Sequence, residues 1–254
     1  MTSTKPTTTT ARATSTSTSS KKKGVSYNDL KYTKLFGNGI AWAYNWYSAP
    51  NGDLTTNVEF TPMLWSNATD LTTIWANNVK AEKARGGTHL LGFNEPDLPG
   101  QADMTVAQSV ANWKKYMEPY KVDFKLVSPA VTNGGSPMGV AYMKNFIGNC
   151  TGCQIDAVAL HWYDAAWNTG YFFNYLNDAI KAFAPRPIWL TEFRGSGTAA
   201  EQIKFIQTVV PWLEQQPGIE RYALFGLFEG TAADGNMITN GVLNEVGVAY
   251  AKAL

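Results

Sequence analysis

Cysteine and histidine are scarce in this chain, with two of each in 254 residues, and that shortage excludes several kinds of chemistry. No His-Glu-x-x-His spacing occurs, and the few Cys and His positions do not form a zinc-type ligand pattern, so neither metal catalysis nor a bound cofactor is expected. Cys150 and Cys153 have the spacing of a redox pair. That chemistry needs a helix N-terminus in a βαβ setting, whereas here the pair lies among Gly, Asn and Thr, so a small structural disulfide is the expected use. Charge of one sign is missing too: 21 basic residues nearly cancel 20 acidic ones, which leaves no electrostatic footprint for nucleic acid. No apolar run approaches the roughly 18 residues of a membrane span. The opening Met-Thr-Ser-Thr-Lys-Pro lacks the apolar region of a signal peptide, so any export signal is expected to lie outside this sequence. A dinucleotide-binding glycine motif is also absent, because Gly37-Asn38-Gly39 runs on into Ile-Ala-Trp, a strand-like segment rather than a helix.

Ser and Thr dominate the beginning, filling 14 of the 19 positions from 2 to 20 with only three apolar residues among them. Such a stretch cannot bury enough surface to offset its ordering entropy and reads as a disordered, O-glycosylated stalk. Residues 1–23, ending in the basic run Lys21–Lys23, are therefore assigned to a linker, and 24–254 to one catalytic-sized domain. With 44% apolar residues that length fills a single core. The sequons at Asn67 and Asn149 agree with a secreted, extracellular protein that associates with a cell wall.

Eight short segments rich in β-branched, aromatic and other apolar residues alternate with helical or turn-rich stretches: 24–28, 39–46, 58–65, 88–94, 124–131, 156–163, 187–193 and 221–229. Helical spacing is read over 70–85, 105–116, 171–183 and 199–214, with shorter or irregular connectors after the first, second and fifth strands. Eight strand units in about 230 residues imply a parallel sheet closed into a (β/α)8 barrel.

In such a barrel reactive groups sit at the C-terminal ends of strands. Two strand ends carry glutamate: the fourth runs Leu90-Leu91-Gly92-Phe93-Asn94-Glu95-Pro96-Asp97, and the seventh Ile188-Trp189-Leu190-Thr191-Glu192-Phe193. A carboxylate directly after an apolar strand is costly unless it faces a polar cavity. Two facing carboxyls suit glycosidic bond cleavage, in which one group protonates the leaving oxygen while the other attacks the anomeric carbon, and retention requires them about 5–5.5 Å apart. Asn94 is placed to hold a sugar hydroxyl, Asp97 and Glu229 are taken as substrate contacts, and Phe193 joins them through its position beside Glu192.

Nine tryptophans supply the flat apolar faces on which sugars stack. Trp42, Trp46, Trp65, Trp162 and Trp167 lie at or beyond C-terminal strand halves and are read as contacts, with core packing as the alternative. Trp75, Trp113 and Trp212 fall on helical stretches, and Trp189, of opposite parity to Glu192, is expected to face the helices. Tyr44-Asn45-Trp46 offers two aromatic faces and an amide to a polyhydroxyl ligand. In His161-Trp162-Tyr163, the Tyr163 hydroxyl can donate to Glu192; His161 is either a second donor or a satisfied core histidine.

Asn-Glu-Pro-Asp at 94–97, His-Trp-Tyr at 161–163, Trp-Leu-Thr-Glu-Phe at 189–193 and Trp-Ala-Tyr-Asn-Trp at 42–46 together resemble glycoside hydrolase family 128, endo-β-1,3-glucanases within a large clan of retaining (β/α)8 enzymes. The resemblance spans about 24–254. It implies an acid/base at Glu95, a nucleophile at Glu192 and a β-1,3-glucan polysaccharide or oligosaccharide as partner, acted on by a monomer. Two other readings remain at this point: the same machinery directed at a β-1,4-glucan or mannan, and a wall protein that binds glucan with weak or exo activity.

Overall fold

The computed structural model describes residues 21–55 and 57–254, so the Ser/Thr-rich stretch assigned to a linker lies outside the described residues except for its basic end. That end belongs to the folded body. The first strand, β1, spans Lys23–Tyr27, and the two lysines serve as caps. Lys22 Nζ donates to the carbonyls of Glu214 (2.9 Å) and Gln216 (2.8 Å), while Lys23 Nζ donates to those of Tyr250 (3.0 Å) and Ala253. A cation at the carbonyl end of a helix is favoured by both the orphan acceptors and the dipole.

The remaining strands are β2 (Trp42–Tyr44), β3 (Glu59–Phe60), β4 (His89–Leu91), β5 (Lys125–Val131), β6 (Ala157–Ala165), β7 (Ile188–Ser196) and β8 (Ile219–Leu227). They form one parallel sheet in the order β3-β2-β1-β8-β7-β6-β5-β4. The ring closes between its two outer strands: Met63 bridges Leu91, Leu64 N donates to Leu91 O (3.1 Å) and Leu91 N to Pro62 O (2.8 Å). Pro62 has no N–H to give, which is why the third segment, expected over 58–65, is regular for only two residues.

Helices α1 (Thr69–Arg85), α2 (Val106–Tyr116), α3 (Gly139–Asn149), α4 (Thr169–Phe183), α5 (Ala199–Gln215) and α6 (Glu245–Lys252) surround the ring, and a two-stranded hairpin of Ile238–Thr239 and Val242–Leu243 precedes the last. Thr105 and Thr198 open α2 and α5 with capping boxes completed by Gln108 and Glu201. The connector after β5, expected to be irregular, contains the full helix α3. Its N-terminus has no local side-chain cap. The carboxylate of Asp97, from the loop after β4, accepts from Gly139 N (2.8 Å), Thr132 N (3.1 Å) and the Thr132 hydroxyl (2.7 Å) instead. Cys150 and Cys153 are joined by a disulfide just past the C-terminus of α3, the helix end that disfavours a thiolate. No helix among the described residues is long and apolar enough to cross a membrane.

A large apolar cluster fills the layer between sheet and helices, and a smaller one fills the barrel: Trp42, Tyr44, Met63, Leu91, Val127, Trp189 and the alanines at 130, 157, 159 and 223. Trp189 therefore faces inward, against the expectation from its parity. The cause is a register shift in β7, where Leu160 pairs with Leu190 but His161 pairs with Glu192. The extra residue, Thr191, lets Trp189 and Glu192 share the inner face despite their odd spacing.

At the N-terminal mouth Arg221 lies over the Trp189 ring (4.4 Å from its centroid) and pairs with Glu59, which also accepts from the Thr88 hydroxyl (2.6 Å). Burial alone would raise the Glu59 carboxyl, but hydrogen bonding with His89 and the Arg221 charge outweigh it and hold the group at about 2. A depressed carboxyl contributes stability above its unfolded value and loses it as pH falls through the folded one. Removing one partner of a pair this secluded costs about 3–5 kcal/mol. Arg221→Met is expected to be destabilised by that amount near neutrality, with the gap to wild type narrowing as pH falls from 4.5 towards 2; denaturant titrations across that range measure it, and a gap independent of pH would contradict the assignment.

Candidate active site

At the opposite, C-terminal mouth of the barrel lies a cavity of about 740 Å³. Its walls come from the ends of several strands. Trp46, Trp65, Asn94, Glu95, Tyr163 and Glu192 line it as the sequence suggests, and Phe225 and Phe228 from the end of β8 complete an aromatic side. Trp46 lies 5.8 Å, centroid to centroid, from each of those phenylalanines, and Tyr163 lies 5.6 Å from Phe225. Asn28, Leu98, Gln101 and the loop from Thr132 to Met138 supply the remaining wall.

Glu95 and Glu192 are both buried at its floor. One carboxylate oxygen of each, together with a His161 nitrogen, fall within 4.8 Å of one another. So close an approach is shorter than the about 6.5–9.5 Å at which an inverting pair stands to admit a water. Glu192 Oε1 accepts from Trp46 Nε1 (2.7 Å) and shares the Tyr44 hydroxyl (3.3 Å) with the Thr191 carbonyl (3.0 Å), and Oε2 accepts from the Tyr163 hydroxyl (2.5 Å). Oε2 thus carries one donor and keeps a lone pair for bond formation. Burial first, and the Glu192 charge second, push both phenols far above their usual value, so each is a permanent donor.

His161 stands between the carboxylates, with Nδ1 2.8 Å from Glu95 Oε1 and Nε2 3.6 Å from Glu192 Oε1. Burial favours the neutral ring, but the Glu192 charge and the bond to Glu95 prevail and raise its pKa. These three residues are the one group of potential metal ligands among the described residues. The imidazole hydrogen-bonds Glu95 through one ring nitrogen and turns the other, which has no hydrogen-bond partner, towards Glu192.

The backbone at the site is strained. Glu95 (φ 44°) and Trp46 (φ 57°) are two of five non-glycine residues in the left-handed region among the described ones. Such conformations persist where surrounding bonds fix them. Here Glu95 N donates to Ala130 O (2.7 Å), and Asn45 closes the turn that contains Trp46, donating to Ala49 O (2.9 Å) and accepting from Tyr47 N (3.2 Å). Asn94 bonds Gln101 through Nδ2 (3.1 Å), while its buried Oδ1 has no protein partner and remains available to a ligand hydroxyl.

Several expected contacts are placed elsewhere. Trp42 is fully buried inside the barrel, its ring stacked on Tyr44 (5.7 Å, 12°), and Tyr44 and Asn45 act beneath and behind the cavity wall rather than on it. Trp162 and Phe193, flanking the inward-facing residues, point to the helix layer, where Trp162 stacks on Phe205 (5.3 Å) and Phe193 packs near Tyr222 (6.1 Å). Asp97 is occupied by the α3 terminus. Glu229 accepts from the Tyr32 hydroxyl (2.7 Å) and Gly241 N (3.2 Å), tethering the hairpin outside the cavity. Trp167 does not line the cavity either.

Comparison with known proteins matches residues 24–250 to the model described as glycosyl hydrolase catalytic core. Among solved structures, a family 128 subgroup III curdlan-specific exo-β-1,3-glucanase from Blastomyces gilchristii, in complex with glucose, superposes with a TM-score of 0.84 at 36% identity, covering 91% of this chain and 97% of that one. A family 128 subgroup I endo-β-1,3-glucanase from Amycolatopsis mediterranei, in complex with laminaritriose, gives 0.78 at 32% identity, covering 92% and 99%. A curated relative, alkali-sensitive linkage protein 1 of Schizosaccharomyces pombe, is 31% identical over 90% of this chain, which spans 44% of that protein's length.

Proposed function

The chain belongs to glycoside hydrolase family 128, and from that premise we propose that it hydrolyses β-1,3-glucan by double displacement, with Glu192 as nucleophile and Glu95 as acid/base. The observation that carries the proposal is the short approach of the two carboxylates beneath an aromatic cavity. In the first step Glu95 donates its proton to the glycosidic oxygen as Glu192 Oε2 bonds to the anomeric carbon, and the shortened chain leaves from the Glu95 side. Tyr44, Trp46 and Tyr163 hold the nucleophile against rotation. In the second step Glu95 takes a proton from water, which attacks the same carbon and frees Glu192 with the β configuration restored. His161, bonded to Glu95 at one nitrogen and close to Glu192 at the other, fixes their spacing. Asn94 Oδ1 accepts a sugar hydroxyl, and Trp46, Trp65, Phe225 and Phe228 offer ring faces to the pyranose C–H surfaces.

The β-1,3 linkage comes from what the structural relatives act on. Reducing-sugar release is expected from laminarin and not from carboxymethylcellulose or mannan; release from the latter two alone would remove the linkage assignment. A ladder of laminari-oligosaccharides marks internal cleavage, glucose alone terminal cleavage. Extracellular action, at a cell wall, is part of the proposal, supported by the exposure of both sequon asparagines, Asn67 and Asn149; glycosidase digestion of the natively expressed protein, read as a mass shift, tests it.

A further inference from the structure

Trp167 is the one aromatic among the exposed large hydrophobic residues of the described chain, with 76% of its surface open to solvent. Burying an indole is favourable by about 25 cal/mol per Å² of apolar surface, so a bare one forgoes that gain. It packs against no other aromatic ring among the described residues, although seven of the nine tryptophans do.

The turn that presents it is fixed. Asp164 accepts from Ala165 N (2.6 Å) and Asn168 Nδ2 (3.3 Å), its own carbonyl accepts from the Ser196 hydroxyl (3.3 Å), and Ala166 N donates to Ser196 O (2.8 Å). The two residues before it, Ala165 and Ala166, and Ser196 across the strand pair are small. A rigid turn with compact neighbours leaves an indole face open at little conformational cost to a ligand that covers it.

Trp167 follows the C-terminal end of β6, the strand that brings His161 and Tyr163 to the active site. It lies four positions beyond Tyr163, so their Cα atoms are at most about 14 Å apart, yet Trp167 is not among the residues that line the cavity. The rim of the catalytic mouth therefore carries an aromatic platform outside the cavity.

We propose that Trp167 is an accessory glucan-binding platform that stacks on pyranose rings beyond the catalytic cavity. This rests on the glucanase reading, since the occupant is the same polymer. The pyranose face can belong to the chain threaded through the cavity or to a neighbouring chain of a solid glucan.

The test uses Trp167→Ala and Trp167→Phe, each alone and in a Glu192→Gln background in which binding is read without turnover. Co-sedimentation with insoluble curdlan is expected to weaken about tenfold for the alanine variant, the loss of one stacking contact of about 1.4 kcal/mol, and to recover partly for phenylalanine. Turnover of laminaritriose is expected to stay within twofold of wild type. If long soluble laminari-oligosaccharides also bind less well, the platform holds the threaded chain; if only curdlan does, it holds a neighbour. Unchanged binding of both by a folded Trp167→Ala variant would overturn the proposal. Failure of the glucanase reading is seen separately, as absence of turnover by the wild type with the curdlan effect intact.

Discussion

Replacing Glu192 with alanine is expected to lower kcat on laminarin by on the order of 10⁴-fold or more, because no other group can form the glycosyl-enzyme bond. Its neighbours do not substitute for it. Tyr44 and Tyr163 are held as donors by burial and by the charge they face, and His161 is committed to Glu95. The excised side chain leaves a space bounded by Trp46 Nε1 and two phenol hydroxyls, the donors that previously held a carboxylate. A small anion fits the same chemistry. Azide is therefore expected to restore turnover and to appear in the product as the α-glycosyl azide, from one inversion rather than two. Full activity without azide would remove Glu192 from the mechanism, and a β-azide would show that it is not the attacking group.

Glu95→Ala is expected to slow hydrolysis of unactivated glucan by about 10²–10⁴-fold, the usual contribution of a general acid/base. Its signature differs from that of the nucleophile. An aryl glycoside with an acidic leaving group needs little protonation, so glycosyl-enzyme formation on it should persist while the second step, deprived of its base, slows. Azide, which needs no base, is then expected to speed turnover and to give the β-glycosyl azide through two inversions. The opposite stereochemistry of the two rescues separates the roles of the two residues. An equal loss on aryl glycoside and glucan, with no azide effect, would mean that Glu95 acts in some other way. The strain at Glu95 (φ 44°) is consistent with a residue whose direction matters more than its comfort: Ala130 O fixes its N–H and His161 its carboxylate.

All eight barrel strands, and the two strand-end glutamates that the fold brings together at the cavity, were legible because apolar segments and strand ends are local patterns. What sequence did not show is equally specific. Trp189 and Glu192 share a face only because of the register shift at Thr191, and no residue type there announces a bulge. Helix α3 escaped for a related reason: its cap is Asp97, 42 positions earlier, so neither the helix start nor the structural task of Asp97 could be read from its own neighbourhood. Trp162 and Phe193 were drawn to the site by proximity, although alternation along a strand points the residues on either side of an inward one to the helices. Phe225 and Phe228 were missed while lying in a recognised strand end. The signal available was Gly226, whose φ of 119° and close approach to the Gly235 carbonyl mark a distorted strand end that turns aromatic faces towards the mouth.

The central claim, a retaining double displacement by Glu95 and Glu192, is tested most directly by proton NMR of the anomeric signals during the first minutes of glucan hydrolysis, before mutarotation. The geometry predicts that the new reducing ends appear in the β configuration and drift to the equilibrium mixture; α-configured first products would contradict it.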